Sequence, residues 1–293
     1  MDNKHNTEPS ARGVKQLVVP QHVTEGAGVQ LRRSIATRTL DNVDPFLLFD
    51  DFSSDNPDDY MAGFPIHPHR GIETVTYMIS GEVNHRDSIG NAGTIGPGDV
   101  QWMTAGRGIL HEEMPKMEKG LLAGFQLWVN LPARDKMMPP RYQDVPNSTI
   151  HELQREDGTR IRVITGTVDG ITGPVNGIVA EPIYLDVTVP AHTAFQHGVT
   201  AGHAAFAYVF KGEGRFGITK DNIGHDCAAP MLVIFDDGDT MRVRAGDAGV
   251  RFLLISGLPI GEPIARYGPF VMNTREEIQQ TLRELQSGNF PPK

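Results

Sequence analysis

The sequence predicts an all-β protein built from two tandem β-domains. Short runs with alternating or β-branched residues recur along the chain, for example at residues 73–79 and 183–189, and such runs are typical of strands. The chain also contains 32 glycines and 21 prolines, which punctuate these runs as turns do and leave little room for long helices. A length of 293 residues is sufficient for two domains, each with its own core.

The first domain is expected over residues 14–138. Residues 1–13 are polar and lack a periodic apolar pattern, which indicates a flexible N-terminal tail. The strands predicted in this domain are residues 16–19, 28–33, 73–79 and 125–130.

The second domain is expected over residues 139–272, after a proline-rich connection. Its predicted strands are residues 160–164, 183–189, 205–210 and 251–255. The segment that begins with Tyr77 and ends with Glu82 is echoed by the segment from Tyr208 to Glu213. This echo suggests that the two domains arose by duplication.

Residues 273–293 are expected to form a short C-terminal helix and a tail. Thr274 and Glu277 fit a capping box, in which each side chain satisfies a free backbone N–H group at the start of a helix. Ile278, Leu282 and Leu285 then fall on one apolar stripe. Such a stripe is typical of a helix packed against a domain wall.

Composition narrows the class of protein. A formal net charge of -9 and a pI near 5.6 disfavour direct binding of nucleic acid. The single cysteine, Cys227, excludes an intrachain disulfide and a thiolate cluster. The opening residues have no apolar core, and no later apolar run approaches the length of a membrane span. We therefore expect a soluble, cytoplasmic protein with no membrane contact.

Two short histidine and carboxylate clusters are the strongest functional signal. His67 and His69 are two residues apart, as are His111 and Glu113. Because side chains alternate along a strand, each pair shares a face, whereas Glu112 points away. Three imidazoles and a carboxylate suit one divalent transition metal such as iron, nickel, copper, manganese, cobalt or zinc, and suit calcium or magnesium poorly.

Long segments around these clusters resemble the pirin family of the cupin superfamily. The resemblance lies in residues 63–77, 85–91 and 98–115 and returns at residues 262–274. It implies two cupin jelly-roll β-barrels, of which the N-terminal one holds a metal, most often Fe(2+).

Carried over position by position, the ligands of that metal fall on His67, His69, His111 and Glu113. The second barrel is expected to be metal-free, because its histidines are scattered without a His-x-His pair. They are His192, His197, His203 and His225.

Glu73 is a second candidate carboxylate. It has the same strand parity as His67 and His69, and cupins in general place a metal-binding glutamate at that spacing. Since the pirin pattern takes the carboxylate from Glu113, Glu73 is expected beside a ligand or facing the cavity. Either Glu113 or Glu73 would then act as the catalytic base.

The resemblance implies a metal-dependent dioxygenase that opens flavonols such as quercetin at the 2,3-bond with O2. The expected partners are thus a small aromatic, flavonol-like substrate and oxygen. The alternative is a metal- and redox-responsive regulatory protein of the transcriptional co-regulator type, which binds a protein partner. An acidic chain without a DNA-reading motif would act there only through that partner.

Overall fold

The computed structural model describes residues 10–116 and 120–291. Strands dominate this part of the chain, as predicted, and its α-helix lies near the C-terminus. The strands of the first half are β1 (Val14–Val18), β2 (Gln21–Glu25), β3 (Val29–Ile35), β4 (Phe46–Asp51), β5 (Phe64–His69), β6 (Ile72–Ser80), β7 (Val83–Asp87), β8 (Ala92–Ile95), β9 (Val100–Thr104), β10 (Ile109–Pro115), β11 (Ala123–Asn130) and β12 (Arg141–Val145). Short 3₁₀ helices cover Pro57–Asp59 and Asn147–Thr149.

The second half also consists mainly of strands. Its elements are β13 (His151–Gln154), β14 (Arg160–Thr165), β15 (Thr167–Val168), β16 (Ile171–Thr172), β17 (Ile183–Val189), β18 (Ala194–Gly198), β19 (Ala204–Phe216), β20 (His225–Ala228), β21 (Met231–Phe235), β22 (Thr240–Gly257), β23 (Ala265–Tyr267), β24 (Phe270–Met272) and α1 (Arg275–Gln286). Every strand predicted from the sequence is present, and β17 has the predicted bounds.

The N-terminal barrel comprises residues 20–150, 174–180 and 260 onward. One of its sheets has seven strands in the order β12-β9-β6-β11-β4-β3-β2, and the other has four in the order β5-β10-β7-β8. Alternation along β6 sends Thr76 to one face of the larger sheet and Val75 to the other. The face that carries Thr76 lines a cavity together with residues of the smaller sheet.

The C-terminal barrel comprises residues 10–19, 151–173 and 181–259. Its nine-stranded sheet is organised by the long strands β19 and β22, which pair with each other over most of the length of β19. The interior is a continuous apolar cluster that includes Val163, Leu185, Ala207, Phe252 and Leu254. Burial of this cluster is the main source of stability for this barrel.

The start of the chain differs from the predicted domain boundaries. Strand β1 pairs with β21, so it lies in the C-terminal barrel rather than opening the first domain. Residues 10–13 are anchored there as well: Arg12 is buried and donates to the carbonyl oxygens of Gly238 and His203, each at 2.9 Å. The rest of the predicted tail, residues 1–9, lies outside the described residues. Pairing of strands so far apart in sequence leaves no local signal.

The C-terminal helix begins where predicted, but its apolar stripe is only partly confirmed, because Ile278 and Leu282 pack against the barrel whereas Leu285 is exposed. The Thr274 hydroxyl accepts from the Glu277 N–H at 3.2 Å, and the Glu277 carboxylate accepts from the Thr274 N–H at 2.8 Å, which completes the capping box. Ile278 packs with Phe270 of β24. Buried Arg70 donates to the Thr281 hydroxyl at 2.8 Å and thereby fixes the helix beside the end of β5. Within the described residues, no helix is both long enough and apolar enough to cross a membrane.

Candidate metal centre

Three histidines converge where β5 and β10 pair. The register places His111 directly opposite His67, and His69 lies two residues further along β5. Their ring centroids are 4.4 Å apart for His67 and His111, 4.9 Å for His67 and His69, and 5.0 Å for His69 and His111. One potential ligand atom from each lies within 4.8 Å of the others. His67 and His69 therefore lie on the same face of β5, next to His111, as strand alternation predicted.

Hydrogen bonding and burial leave imidazole nitrogens available. His67 Nδ1 lies 2.9 Å from the carbonyl oxygen of Pro65, and since a carbonyl only accepts, this nitrogen carries the proton and Nε2 has the free lone pair. Burial is the largest cause that holds the pKa values of His69 and His111 well below the ordinary value, and the neighbouring histidines add to it. Neutral imidazoles are the form that binds a metal.

His111 provides a test of whether a metal fits. Its side chain is 1% exposed, and among the described residues neither ring nitrogen has a hydrogen-bond partner. A buried polar group without a partner costs free energy unless a ligand satisfies it. In addition, His67 Nε2 and His69 Nε2 approach to 3.1 Å. Neutral nitrogens gathered around one point match the donor set of a divalent transition metal.

Glu73 does not face this centre, contrary to the prediction. Strand β5 ends at His69, and Gly71 turns the chain with a φ of 77° before β6 begins, so residue parity does not carry over from one strand to the next. A side chain at Gly71 would clash with the Val271 carbonyl oxygen, because its Cβ would lie 1.9 Å away. Glu73 lies on the face of β6 opposite Thr76, where its Oε1 accepts from the Thr104 hydroxyl at 2.7 Å. Burial raises its pKa.

Glu113 shares the cavity with the histidines. Its side chain is nearly buried, and its Oε1 lies 2.9 Å from the Thr76 hydroxyl. Its carboxylate does not belong to the group of ligand atoms within 4.8 Å of one another, which in the described residues comes from the three histidines. Glu112 points to the other face, as predicted, and forms an ion pair with Arg86.

His67 and His69 line a cavity of about 530 Å³, a volume typical of small-molecule sites. Aliphatic and aromatic side chains such as Leu31, Leu48 and Phe52 form much of its wall. Trp128 adds a flat surface: its ring lies edge-on to His69 at 5.1 Å, and the Arg266 guanidinium covers it at 4.9 Å. The cavity thus combines polar histidine side chains at one end with largely apolar walls.

Sequence reasoning did not find four polar residues that line this cavity. Thr76, Gln126, Asp50 and Arg33 are consecutive cross-strand neighbours on β6, β11, β4 and β3. They come from four separate segments of the chain, and none lies in a motif. Only the register of the sheet, which the sequence does not encode locally, brings them into one row.

The fold and the three-histidine centre together define a two-barrel cupin. The pirin family model matches residues 28–129, and the model of the pirin C-terminal cupin domain matches residues 184–291. A pirin-like protein of Caulobacter vibrioides is 44% identical over 281 residues, which cover 95% of this chain and 99% of that protein. This chain therefore belongs to the pirin family.

Two further relatives agree with this assignment. Human pirin is 39% identical over 280 residues, which cover 95% of this chain and 93% of that protein. A crystal structure of quercetin 2,3-dioxygenase from Acinetobacter baumannii superposes with a TM-score of 0.86 at 32% identity, covering 96% of this chain and 99% of that one. The predicted family and the predicted fold, two cupin barrels with a short C-terminal helix, are both confirmed.

Proposed function

We propose that this protein is a metal-dependent dioxygenase that opens flavonols such as quercetin at the 2,3-bond with O2. The observation that carries the proposal is the convergence of three histidines, of which His69 and His111 are buried, beside a cavity lined by His67 and His69. The likeness to a solved quercetin 2,3-dioxygenase supports the choice of substrate.

The metal ligands in this proposal are His67, His69 and His111, with Glu113 as the carboxylate that completes the set. Iron as Fe(2+) is the proposed metal, since three nitrogens and one oxygen suit a redox-active ion with open positions. When bound, such a metal lowers the pKa of a coordinated hydroxyl and brings oxygen chemistry to the site. The protein contributes a fixed ligand set beside a largely apolar cavity.

The cavity is suited to a planar aromatic substrate. Trp128 presents its ring beside His69, so a flavonol ring can lie against it while the 3-hydroxyl end points to the histidines. The aliphatic wall, with Leu31 and Leu48, buries the apolar edges of the same molecule.

Glu113 is the proposed base. Its position beside Thr76 in the same cavity allows its carboxylate to accept the proton of the flavonol 3-hydroxyl, while the Thr76 hydroxyl holds Oε1 in place. Glu73 is not retained in this role, because it faces the opposite side of β6.

The experiment that tests the proposal combines metal analysis of purified protein with oxygen uptake in the presence of quercetin. We expect one metal ion per chain and oxygen consumption that is accompanied by release of carbon monoxide. Protein stripped with a chelator is the control and should consume no oxygen until metal is restored. Stoichiometric metal without oxygen uptake would contradict flavonol oxygenation. In that case the alternative prediction, a regulatory protein that binds a protein partner, would remain.

A further inference from the structure

A row of polar side chains crosses the otherwise largely apolar wall of the cavity. The row begins at Glu113, whose Oε1 lies 2.9 Å from the Thr76 hydroxyl. Thr76 in turn lies 2.9 Å from the side-chain amide of Gln126. The amide atom that faces the Thr76 hydroxyl is Gln126 Oε1, and because a hydroxyl has one hydrogen, Thr76 donates either to Glu113 or to Gln126 at any one time. The metal end of the cavity is thereby linked to the next strand of the sheet.

The row continues to a buried ion pair. Gln126 is directly opposite Asp50, and Asp50 is directly opposite Arg33. Arg33 donates to both carboxylate oxygens, from Nε to Oδ1 at 2.8 Å and from Nη2 to Oδ2 at 2.7 Å. Asp50 is 4% exposed and lines the cavity. From Thr76 to Asp50 there are two inter-strand steps of about 4.8 Å each, which places the backbone of Asp50 about 10 Å from that of Thr76, the residue that contacts Glu113.

Stability does not explain this ion pair. Removing two charges from water costs several kcal/mol, and a pair of apolar residues of the same volume is often as stable or more so. Burial also raises the pKa of Asp50 to about 6, although Arg33 lowers it. A poorly solvated carboxylate at the wall of a binding cavity is typical of a functional site.

The carboxylate of Asp50 has unused capacity on the cavity side. Each of its oxygens has two lone pairs, and Arg33 occupies one on each. Arg33 has no such capacity, because a guanidinium only donates and Glu25 accepts from its Nη1 at 2.7 Å. A ligand group that meets Asp50 in this cavity is therefore best matched as a hydroxyl donor.

We propose that Asp50, held in the cavity wall by Arg33, determines specificity by accepting a hydrogen bond from a phenolic hydroxyl at the end of the substrate remote from the metal. The substrate class is then a planar aromatic molecule with hydroxyl groups at both ends, rather than any flavonol. This inference rests on the proposed function, since it takes the metal end of the cavity as the place where the flavonol 3-hydroxyl binds.

The test compares quercetin with 3-hydroxyflavone, which keeps the metal-facing hydroxyl and lacks the others. We expect wild-type protein to bind quercetin more tightly by about tenfold or more, because a site built to bond a hydroxyl is left with an unsatisfied, poorly solvated acceptor by the analogue. Asp50→Asn should reduce this ratio to within about threefold, since an amide is a weaker acceptor and cannot engage both Arg33 nitrogens in the same way. Galangin, which lacks only the hydroxyls of the pendant ring, then shows which ring meets Asp50.

Asp51→Asn is the matched control. Asp51 is the next residue of β4, is also buried, and pairs with Arg32 at 2.9 Å, but its side chain lies on the other face of the strand and does not line the cavity. It should keep the wild-type binding ratio. A wild-type ratio near one, or an unchanged ratio in Asp50→Asn, would overturn the proposal.

Binding is measured anaerobically, so that the inference and the proposed function can fail separately. If quercetin binds more tightly than 3-hydroxyflavone but no oxygen is taken up in air, the dioxygenase proposal is wrong and the role of Asp50 stands. If both flavonols are turned over and bind with equal affinity, the dioxygenase proposal stands and the role of Asp50 is wrong. If Asp50→Asn does not fold, as judged by its metal content, Asp50→Glu keeps the charge for Arg33. Its longer side chain displaces the acceptor, so the ratio should still fall, and an unchanged ratio in Asp50→Glu would also overturn the proposal.

Discussion

The two barrels share a family of folds but differ in what fills them. The C-terminal barrel is packed with apolar side chains, of which Val163, Leu185 and Leu254 are fully buried. The N-terminal barrel instead keeps a cavity of about 530 Å³, with histidines at one end and a row of polar residues across its wall. The interior of the C-terminal barrel is thus filled by packing, whereas part of the N-terminal barrel is left open.

The two barrels therefore differ in how much of the interior is packed and how much is left open. A close-packed interior stabilises a domain and leaves no space for a ligand. A cavity sacrifices some of that stabilisation, and its polar groups must be satisfied by one another or by a ligand. The orphaned ring nitrogens of His111 and the Arg33–Asp50 pair are the signs of such a site. The predictions below contrast the filled barrel with the open one.

The largest expected effect is the loss of the metal from the open barrel. His111→Ala removes a proposed ligand from the three-histidine cluster and leaves room for water, so metal content and oxygen uptake should fall to background. His225→Ala changes an exposed histidine of β20 in the filled barrel and is expected to leave both unchanged. Metal analysis of the two purified variants decides. Metal loss from His225→Ala, or retention in His111→Ala, would mean that the ion is held elsewhere.

A second contrast concerns packing. Leu254→Ala empties part of a close-packed core, so it should lower the free energy of unfolding by about 3–5 kcal/mol. Leu48→Ala enlarges a cavity that already exists, so the cost should lie near the low end of the usual range, at about 2 kcal/mol. Denaturant titration of both variants measures the difference. Equal losses would indicate that the wall of the cavity is packed as tightly as the core.

A third contrast lies within β10 and separates its cavity face from its outer face. Glu113→Gln should weaken metal affinity by more than the roughly 10- to 100-fold that loss of a hydrogen-bond partner of a ligand costs, and it should reduce turnover, because a neutral amide is a poor ligand and a poor base. Glu112→Gln should leave both intact, since that side chain faces away and pairs with Arg86. Competition for metal against a chelator gives the affinities. Normal metal affinity with lost turnover in Glu113→Gln would make Glu113 a base that is not a ligand.

The alternation of side chains along a strand predicted most residues of the candidate metal centre but few residues of the cavity wall. His67, His69, His111 and Glu113 could be placed because parity holds within one strand, and the capping box at Thr274 is local in the same sense. Parity failed at Glu73, because Gly71 interrupts the extended run with a left-handed residue. The row from Thr76 to Arg33 could not be predicted, since it depends on pairing between four strands distant in sequence. The placement of β1 in the C-terminal barrel was missed for the same reason.

The smallest expected effect is that of Glu73→Gln, which tests whether this carboxylate is outside the site. Burial raises its pKa above the ordinary value of 4.5, so the folded state holds its proton to higher pH than the unfolded state does. The contribution of Glu73 to stability therefore falls as pH rises from about 4.5 through the raised pKa, by at most about 1.4 kcal/mol per pH unit. A glutamine cannot titrate, so the difference in unfolding free energy between wild type and variant should change with pH in that window and level off above it. Denaturant titrations at several pH values measure this difference, and metal content and flavonol turnover should stay within about threefold of wild type. A difference in unfolding free energy that does not change with pH would contradict the raised pKa of Glu73. Loss of metal from the variant would contradict the placement of Glu73 outside the site.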